Sequence, residues 1–302
     1  MNPQFVVFGE ALTDFIAEGD GLWRAVPGGS CWSVARVASK LGLPTGYAGA
    51  VSTDNFGNDL ARLALEAGLD ERFLQRVDKA PFLAMVPSKN PPQYFFIGDD
   101  SADLHFDHTK LPAGWMDDVQ IAHFGCISLV REPLASRLVA LAGEIKAAGK
   151  RICFDPNYRK IMADPAYAAT LQRMSELADF IKVSDEDLTH LFPGTTLEQG
   201  IAILRGWAPA ADILLTQGGA GMTLMTPTET LHRPVFAVDV ADTVGAGDAS
   251  MGGWMCSVLT QPEAGLQAHL DFACAAAATV CRQHGAYAPT TAEVRALMAG
   301  AA

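Results

Sequence analysis

Six short apolar runs, Phe5–Phe8, Gly46–Val51, Ile121–Phe124, Arg151–Phe154, Phe180–Val183 and Ile213–Thr216, recur along the chain with helical patterns between them. Each is short and apolar at successive positions, the pattern of a strand buried on both faces. The intervening stretches are Ser33–Leu41, Phe56–Ala67, Pro133–Ala148, Pro165–Ala178, Leu197–Trp207, Asp248–Leu259 and Glu263–Gln283. Gly42, Gly68 and Gly149 follow three of these as stop signals. Such alternation predicts a mostly parallel central sheet with helices on both faces, an α/β fold in three layers.

Two stretches break the alternation. Residues 13–27 and 82–108 hold strand-like pieces, Thr13–Ala17, Leu83–Val86, Gln93–Ile97 and Asp103–Phe106, with turn residues and no helical period between them. Antiparallel hairpins are expected there. Hairpins on such a core serve either as a decorated sheet edge or as a lid over a site.

The formal charge of −12, from 22 Lys and Arg against 34 Asp and Glu, argues against a nucleic-acid or anionic membrane surface. It leaves room for one anionic small molecule in a local pocket. No apolar run approaches the ~20 residues of a membrane helix, and the N-terminus lacks the basic region of a signal peptide. The six cysteines include no C-x-x-C pair, so they read as reduced thiols of a cytoplasmic protein, neither a disulfide framework nor a zinc site.

The most informative segment is Asp239-Val-Ala-Asp-Thr-Val-Gly-Ala-Gly-Asp-Ala-Ser250. A strand is expected to end there, a Gly-Ala-Gly turn to follow and a helix to begin. A turn of this kind aims backbone N–H groups and the positive end of a helix dipole at one point, an anion site. Asp248 at the helix start reads alone as a capping carboxylate. Beside an anion site it also has the placement for phosphoryl transfer, taking a proton from an attacking hydroxyl. A dinucleotide fingerprint would need a third glycine where Ser250 stands.

Asp242-Thr-Val-Gly-Ala-Gly-Asp248 closely resembles the C-terminal signature of the PfkB, or ribokinase-like, family of carbohydrate kinases. Gly28-Gly-Ser-Cys-Trp-Ser-Val-Ala-Arg-Val-Ala-Ser-Lys-Leu-Gly42 resembles the N-terminal signature in outline, with Ser33 where the family usually has asparagine. The resemblance runs from Phe5 to about Pro289. It implies a ribokinase-like α/β/α fold over residues 1–302 as one kinase domain, with a small β lid formed by about 13–27 and 82–108.

The same resemblance assigns roles. Asp248 falls on the catalytic base, and Gly245, Ala246 and Gly247 fall on the anion hole. Thr216-Gln-Gly-Gly-Ala-Gly221 resembles the nucleotide loop, placing Thr216, Gly218, Gly219 and Gly221 against ATP. Ser184-Asp-Glu-Asp187 occupies the place of a motif that organises Mg²⁺ and phosphate, with Ser for Asn and Asp for Glu. Asp187 would reach water on Mg²⁺, while Ser184 serves equally as a helix cap. Cys274 stands where relatives place an asparagine beside adenine.

On the sugar side, Gly9-Glu-Ala-Leu-Thr-Asp14 looks like the opening strand of fructokinases and 2-keto-3-deoxygluconate kinases, with Asp14 as acceptor of sugar hydroxyls. Gly28, Gly29 and Ser33 complete that wall, and Phe95 of the lid would pack on the sugar. Asp155-Pro-Asn-Tyr-Arg159 resembles the D-P-N-x-R of fructokinase-type relatives, making Arg159 the cation for the transferring phosphate or a sugar oxygen. Asp242 matches part of a monovalent-cation site, for K⁺. The resemblance further implies pairing of two copies through their lids.

The reading is an ATP-dependent sugar kinase, most like a fructokinase. 2-Keto-3-deoxygluconate is the nearest alternative acceptor. The departures at Ser33, Ser184, Asp187 and Cys274 leave a non-catalytic sugar or nucleotide sensor as an alternative of another class.

Overall fold

The computed structural model describes residues 2–89 and 92–300, so residues 90 and 91 of the expected lid lie outside it. Strand β1 (Phe5–Phe8) leads into a hairpin of β2 (Leu12–Gly19) and β3 (Leu22–Gly28), followed by α1 (Ser30–Lys40), β4 (Thr45–Ser52), α2 (Asn55–Glu66) and β5 (Leu74–Val77). A second hairpin, β6 (Leu83–Lys89) and β7 (Pro92–Ile97), precedes β8 (Ile121–Gly125), α3 (Leu134–Ala147), β9 (Arg151–Asp155) and α4 (Tyr167–Leu177). Then come β10 (Phe180–Ser184), α5 (Asp185–Leu191), α6 (Leu197–Trp207), β11 (Asp212–Thr216), β12 (Met222–Met225) and β13 (Thr230–Arg233). Helices α7 (Ala246–Thr260), α8 (Leu266–Cys281) and α9 (Thr291–Met298) follow.

Among the described residues the main sheet runs β13-β12-β11-β10-β9-β8-β1-β4-β5. It is parallel from β11 to β5, with β12 and β13 added antiparallel. Side-chain alternation explains the layers. Phe5 and Val7 join Trp32, Met251 and Trp254 beneath α1 and α7. Val6 and Phe8 join Phe124, Ile145 and Met174 beneath α3 and α4 on the opposite face. With both faces covered, consecutive positions must be apolar. The three-layer α/β/α expectation holds.

Helix α7 lies close against α1 because Gly252 has no side chain: a Cβ there would stand 2.9 Å from the Val34 carbonyl oxygen. The approach brings the first turns of the two helices together.

The two hairpins form a separate four-stranded sheet, β3-β2-β6-β7, antiparallel within each hairpin and parallel where β2 meets β6. Asp103–Phe106, expected as a strand, is instead a 3-10 turn over Ala102–His105. Ala102, Asp103 and Leu104 are all buried in succession, and Asp103 forms an ion pair with Arg131. A strand would have turned one of these neighbours outward. The strand expected before Asp239 is also absent: residues 234–240 are irregular. Pro234 follows β13 directly and has no N–H with which to extend its ladder. No helix among the described residues is long and apolar enough to cross a membrane.

Candidate active site

Helix α7 opens from Gly245, left-handed at φ 80°. Gly247 and Asp248 have amides that no loop carbonyl accepts among the described residues. Such orphan N–H groups at a helix start form an anion-binding point.

Asp248 sits in that first turn, facing α1. Ser30 Oγ donates to its Oδ1 at 2.7 Å, and Asn157 Nδ2 approaches the same oxygen at 3.4 Å. Burial pushes the Asp248 carboxyl up to about 7, against the opposing pull of the Ser30 hydrogen bond and of the Lys182 and Arg159 cations. The group therefore exchanges a proton near neutral pH. Ser30 is itself fixed, its amide donating to buried Glu10 Oε1 at 2.9 Å, while Ser128 Oγ donates to Glu10 Oε2 at 2.6 Å.

The loop after β9 holds the rest. Asp155 Oδ1 accepts the Asn157 amide at 3.0 Å and supports that residue's positive φ of 41°. Arg159 Nη1 donates to Asn157 Oδ1 at 2.7 Å and to the Tyr158 carbonyl at 2.8 Å. Beneath the anion point lies a buried ion pair, Lys182 Nζ to Asp155 Oδ2 at 3.1 Å. Burial favours the neutral amine, but Asp155, Asp187 and Asp248 outweigh it and hold Lys182 charged. A Cβ on Gly247 would stand 3.0 Å from that Nζ, which places the ammonium directly under the turn. Asp187 Oδ1 accepts the Tyr158 amide at 2.8 Å and Oδ2 accepts the Ser184 amide at 2.9 Å, while Ser184 Oγ caps α5. Ser184 is thus a helix cap in fact, and Asp187 ties α5 to the β9 loop.

A cleft of about 1890 Å³ runs past these groups. Lys182, Asn157, Arg159, Ala246 and Gly247 line its inner end; Thr216, Gly218, Gly219, Gly221 and Cys274 line the far end. The Cys274 thiol is 3.6 Å from the Pro234 carbonyl, and Ala277 and Ala278 line the same cleft. Tyr94, Phe95 and Phe96 reach the cleft from β7, with Tyr94 under the Arg159 guanidinium at 5.7 Å.

Asp14 and Gly28 of the small sheet and Gly29 and Ser33 at the start of α1 are outside the lining of this cleft. Burial pushes Asp14 up to about 6, with Arg159 pulling the other way, so Arg159 acts on both Asp14 and Asp248. Gly28 leaves space for Asp14: a Cβ there would meet its Oδ2 at 2.4 Å. Ser33 is buried within α1, and Ser30, a turn earlier, is the hydroxyl that meets Asp248. Asp242 spans two loops, its carboxylate accepting the amides of Val244 and Gly285, each at 3.1 Å.

Sequence reasoning passed over Ser30, Asn157, Glu10 and Lys182. The first three lie inside motifs it quoted. Lys182 carried its own signal, a charge inside a strand buried on both faces, which requires a partner.

The profile of the pfkB family carbohydrate kinases matches residues 2–293. The chain belongs to this family and is a sugar phosphotransferase. It is similar to the fructokinase of Klebsiella pneumoniae, 33% identical across 89% of this chain and 86% of that one. It is also similar to fructokinase-2 of Oryza sativa, 32% identical across 100% of this chain and 96% of that one. A solved fructokinase from Xylella fastidiosa with bound ATP superposes with a TM-score of 0.88 at 26% identity, covering 98% of both chains. A fructokinase from Vibrio cholerae bound to fructose, ADP and calcium gives 0.86 at 25% identity, covering 98% of each chain.

Proposed function

We propose that the chain is an ATP-dependent fructokinase with Asp248 as its base. One observation carries the reading: the Asp248 carboxylate stands in the first turn of α7, beside amides unpaired among the described residues and above the Lys182 ammonium, and burial pushes it up to about 7. Asp14 accepts sugar hydroxyls, with Gly28, Gly29, Ser33 and Phe95 completing that wall. ATP lies along Thr216, Gly218, Gly219, Gly221, Ser184 and Cys274. The sugar hydroxyl gives its proton to Asp248 while its oxygen attacks the γ-phosphorus, and ADP leaves. The amides of Gly247 and Asp248 hold the phosphoryl oxygens, the Ala246 amide being taken by the Thr243 carbonyl at 3.2 Å, together with Arg159 Nη2, which has no acceptor among the described residues.

Mg²⁺ on the phosphates supplies charge neutralisation. Asp187 fits a water-mediated contact to it, because each oxygen accepts one amide and retains a lone pair. For K⁺, Asp242 and the Val244 backbone are the proposed holders, which the same assay in potassium against sodium buffer tests. Six unpaired cysteines support a cytoplasmic setting.

Asp248→Asn keeps the shape and removes the base. It abolishes turnover in an ADP-release assay with fructose while ATP binding by calorimetry stays within about threefold. Retained turnover defeats the assignment. The panel includes 2-keto-3-deoxygluconate, because the Arg159 guanidinium beside Tyr94 also suits a carboxylated acceptor. Binding without turnover for every sugar identifies a sensor.

A further inference from the structure

We propose that Ser30 is a positioning residue for the base: it ends a one-way hydrogen-bond chain from Arg159 and occupies Asp248 Oδ1, leaving Oδ2 to take the sugar proton. The inference rests on the reading of Asp248 as base.

The direction of the chain follows from what each group can do. A guanidinium only donates, so the atom of Asn157 at 2.7 Å from Arg159 Nη1 must be the carbonyl Oδ1. That fixes the amide orientation and turns Nδ2 toward Ser30 Oγ, also at 2.7 Å. Ser30 Oγ accepts there, and its single hydrogen is left for Asp248 Oδ1 at 2.7 Å. No group along the path can reverse its bond while Arg159 is in place. Each donation strengthens the next. The Ser30 amide, bound to Glu10, keeps the hydroxyl from swinging away.

Oδ1 thus receives two donors, whereas Oδ2 has no partner among the described residues. In the transfer step the sugar O–H bond breaks and its proton goes to Oδ2. The sugar oxygen forms the new bond to the γ-phosphorus, and the bond from that phosphorus to ADP breaks. Afterwards the proton leaves Oδ2 for water. A hydroxyl donating to the carboxylate favours its charged form, so Ser30 holds the base ready at neutral pH.

The other charged groups facing Asp248 are Arg159 on the β9 loop, Asp155 at the end of β9 and Lys182 on β10, with Glu10 behind Ser30. Ser30→Ala alters none of them and leaves the backbone bond to Glu10 intact. Losing one charge-assisted hydrogen bond moves a carboxyl up by about one pH unit. The sign is fixed: less of the base is ionised at a given pH, so the acidic limb of kcat/KM for the sugar moves to higher pH. From a starting value of about 7, activity at pH 7 falls about fivefold and the deficit closes by about pH 9.

The test compares pH profiles of wild type, S30A and S30T, with thermal midpoints alongside. S30T keeps the hydroxyl and is expected to keep the wild-type limb. An acidic limb unmoved in S30A, or activity lowered equally at every pH, overturns the proposal. Carbon-13 NMR titration of the Asp248 carboxyl, identified by its loss in D248N, reads the same shift without turnover. An unmoved titration in S30A also overturns it. Turnover retained by D248N is a separate failure, of the base assignment, and the NMR titration then still decides whether Ser30 sets this carboxylate.

Discussion

Replacing Lys182 with Met removes the buried ammonium beneath the first turn of α7 and separates two roles it can have. Lys182 and Asp155 are 3% and 1% exposed and lie 3.1 Å apart. At that distance and an effective dielectric of about 20 their attraction is about 5 kcal/mol, offset by the cost of desolvating both ions. K182M leaves Asp155 buried and unpaired, and is expected to destabilise the fold by about 3–5 kcal/mol. The double variant D155N/K182M buries no charge and recovers most of that loss. Catalysis behaves differently. Lys182 has three N–H groups and, among the described residues, a single carboxylate as partner, while its Nζ stands 3.0 Å from the Cβ position of Gly247. A remaining N–H is therefore free for a phosphoryl oxygen at the anion point. Loss of one preorganised donor costs about 10²–10³ in kcat, and D155N does not restore it. Urea unfolding and an ADP-release assay measure the two quantities independently. Wild-type kcat in D155N/K182M refutes the phosphate contact, leaving Lys182 only as counter-ion. An unchanged urea midpoint in K182M refutes the ion-pair argument.

Gly28→Ala puts a methyl where Asp14 Oδ2 now lies, 2.4 Å from the added carbon. It is expected to raise the KM for the sugar about tenfold or more with the KM for ATP unchanged; an unchanged sugar KM removes Asp14 from the sugar wall. On one face the small sheet exposes Trp23 and Ile97, at 41% and 50%. We propose that two copies pair over this apolar face. W23S/I97S should then halve the mass found by light scattering, whereas a wild-type monomer ends that proposal.

The strands facing two helical layers were legible because burial on both sides leaves one solution, apolar residues at every position. β1 was bounded correctly at both ends, and α6 likewise. Elements at the margins carried a fainter pattern. β12 and β13 sit at the sheet edge, where alternate residues meet water, and α5 spans only seven residues under its acidic cap. Asp103 misled for a related reason: its burial depends on Arg131, 28 residues away, and no local period records such a partner. The site divides along the same line. Gly245–Asp248 is one contiguous turn, so its chemistry is written in adjacent letters. The setting of Asp248 is not, because Ser30 lies 218 residues from it and Asn157 lies 91. Only the close passage of α7 over α1 at Gly252 brings that hydroxyl to the carboxylate. Motif reading therefore finds the carboxylate proposed as base. What would set its ionisation is the packing of two helices whose contact no single segment contains.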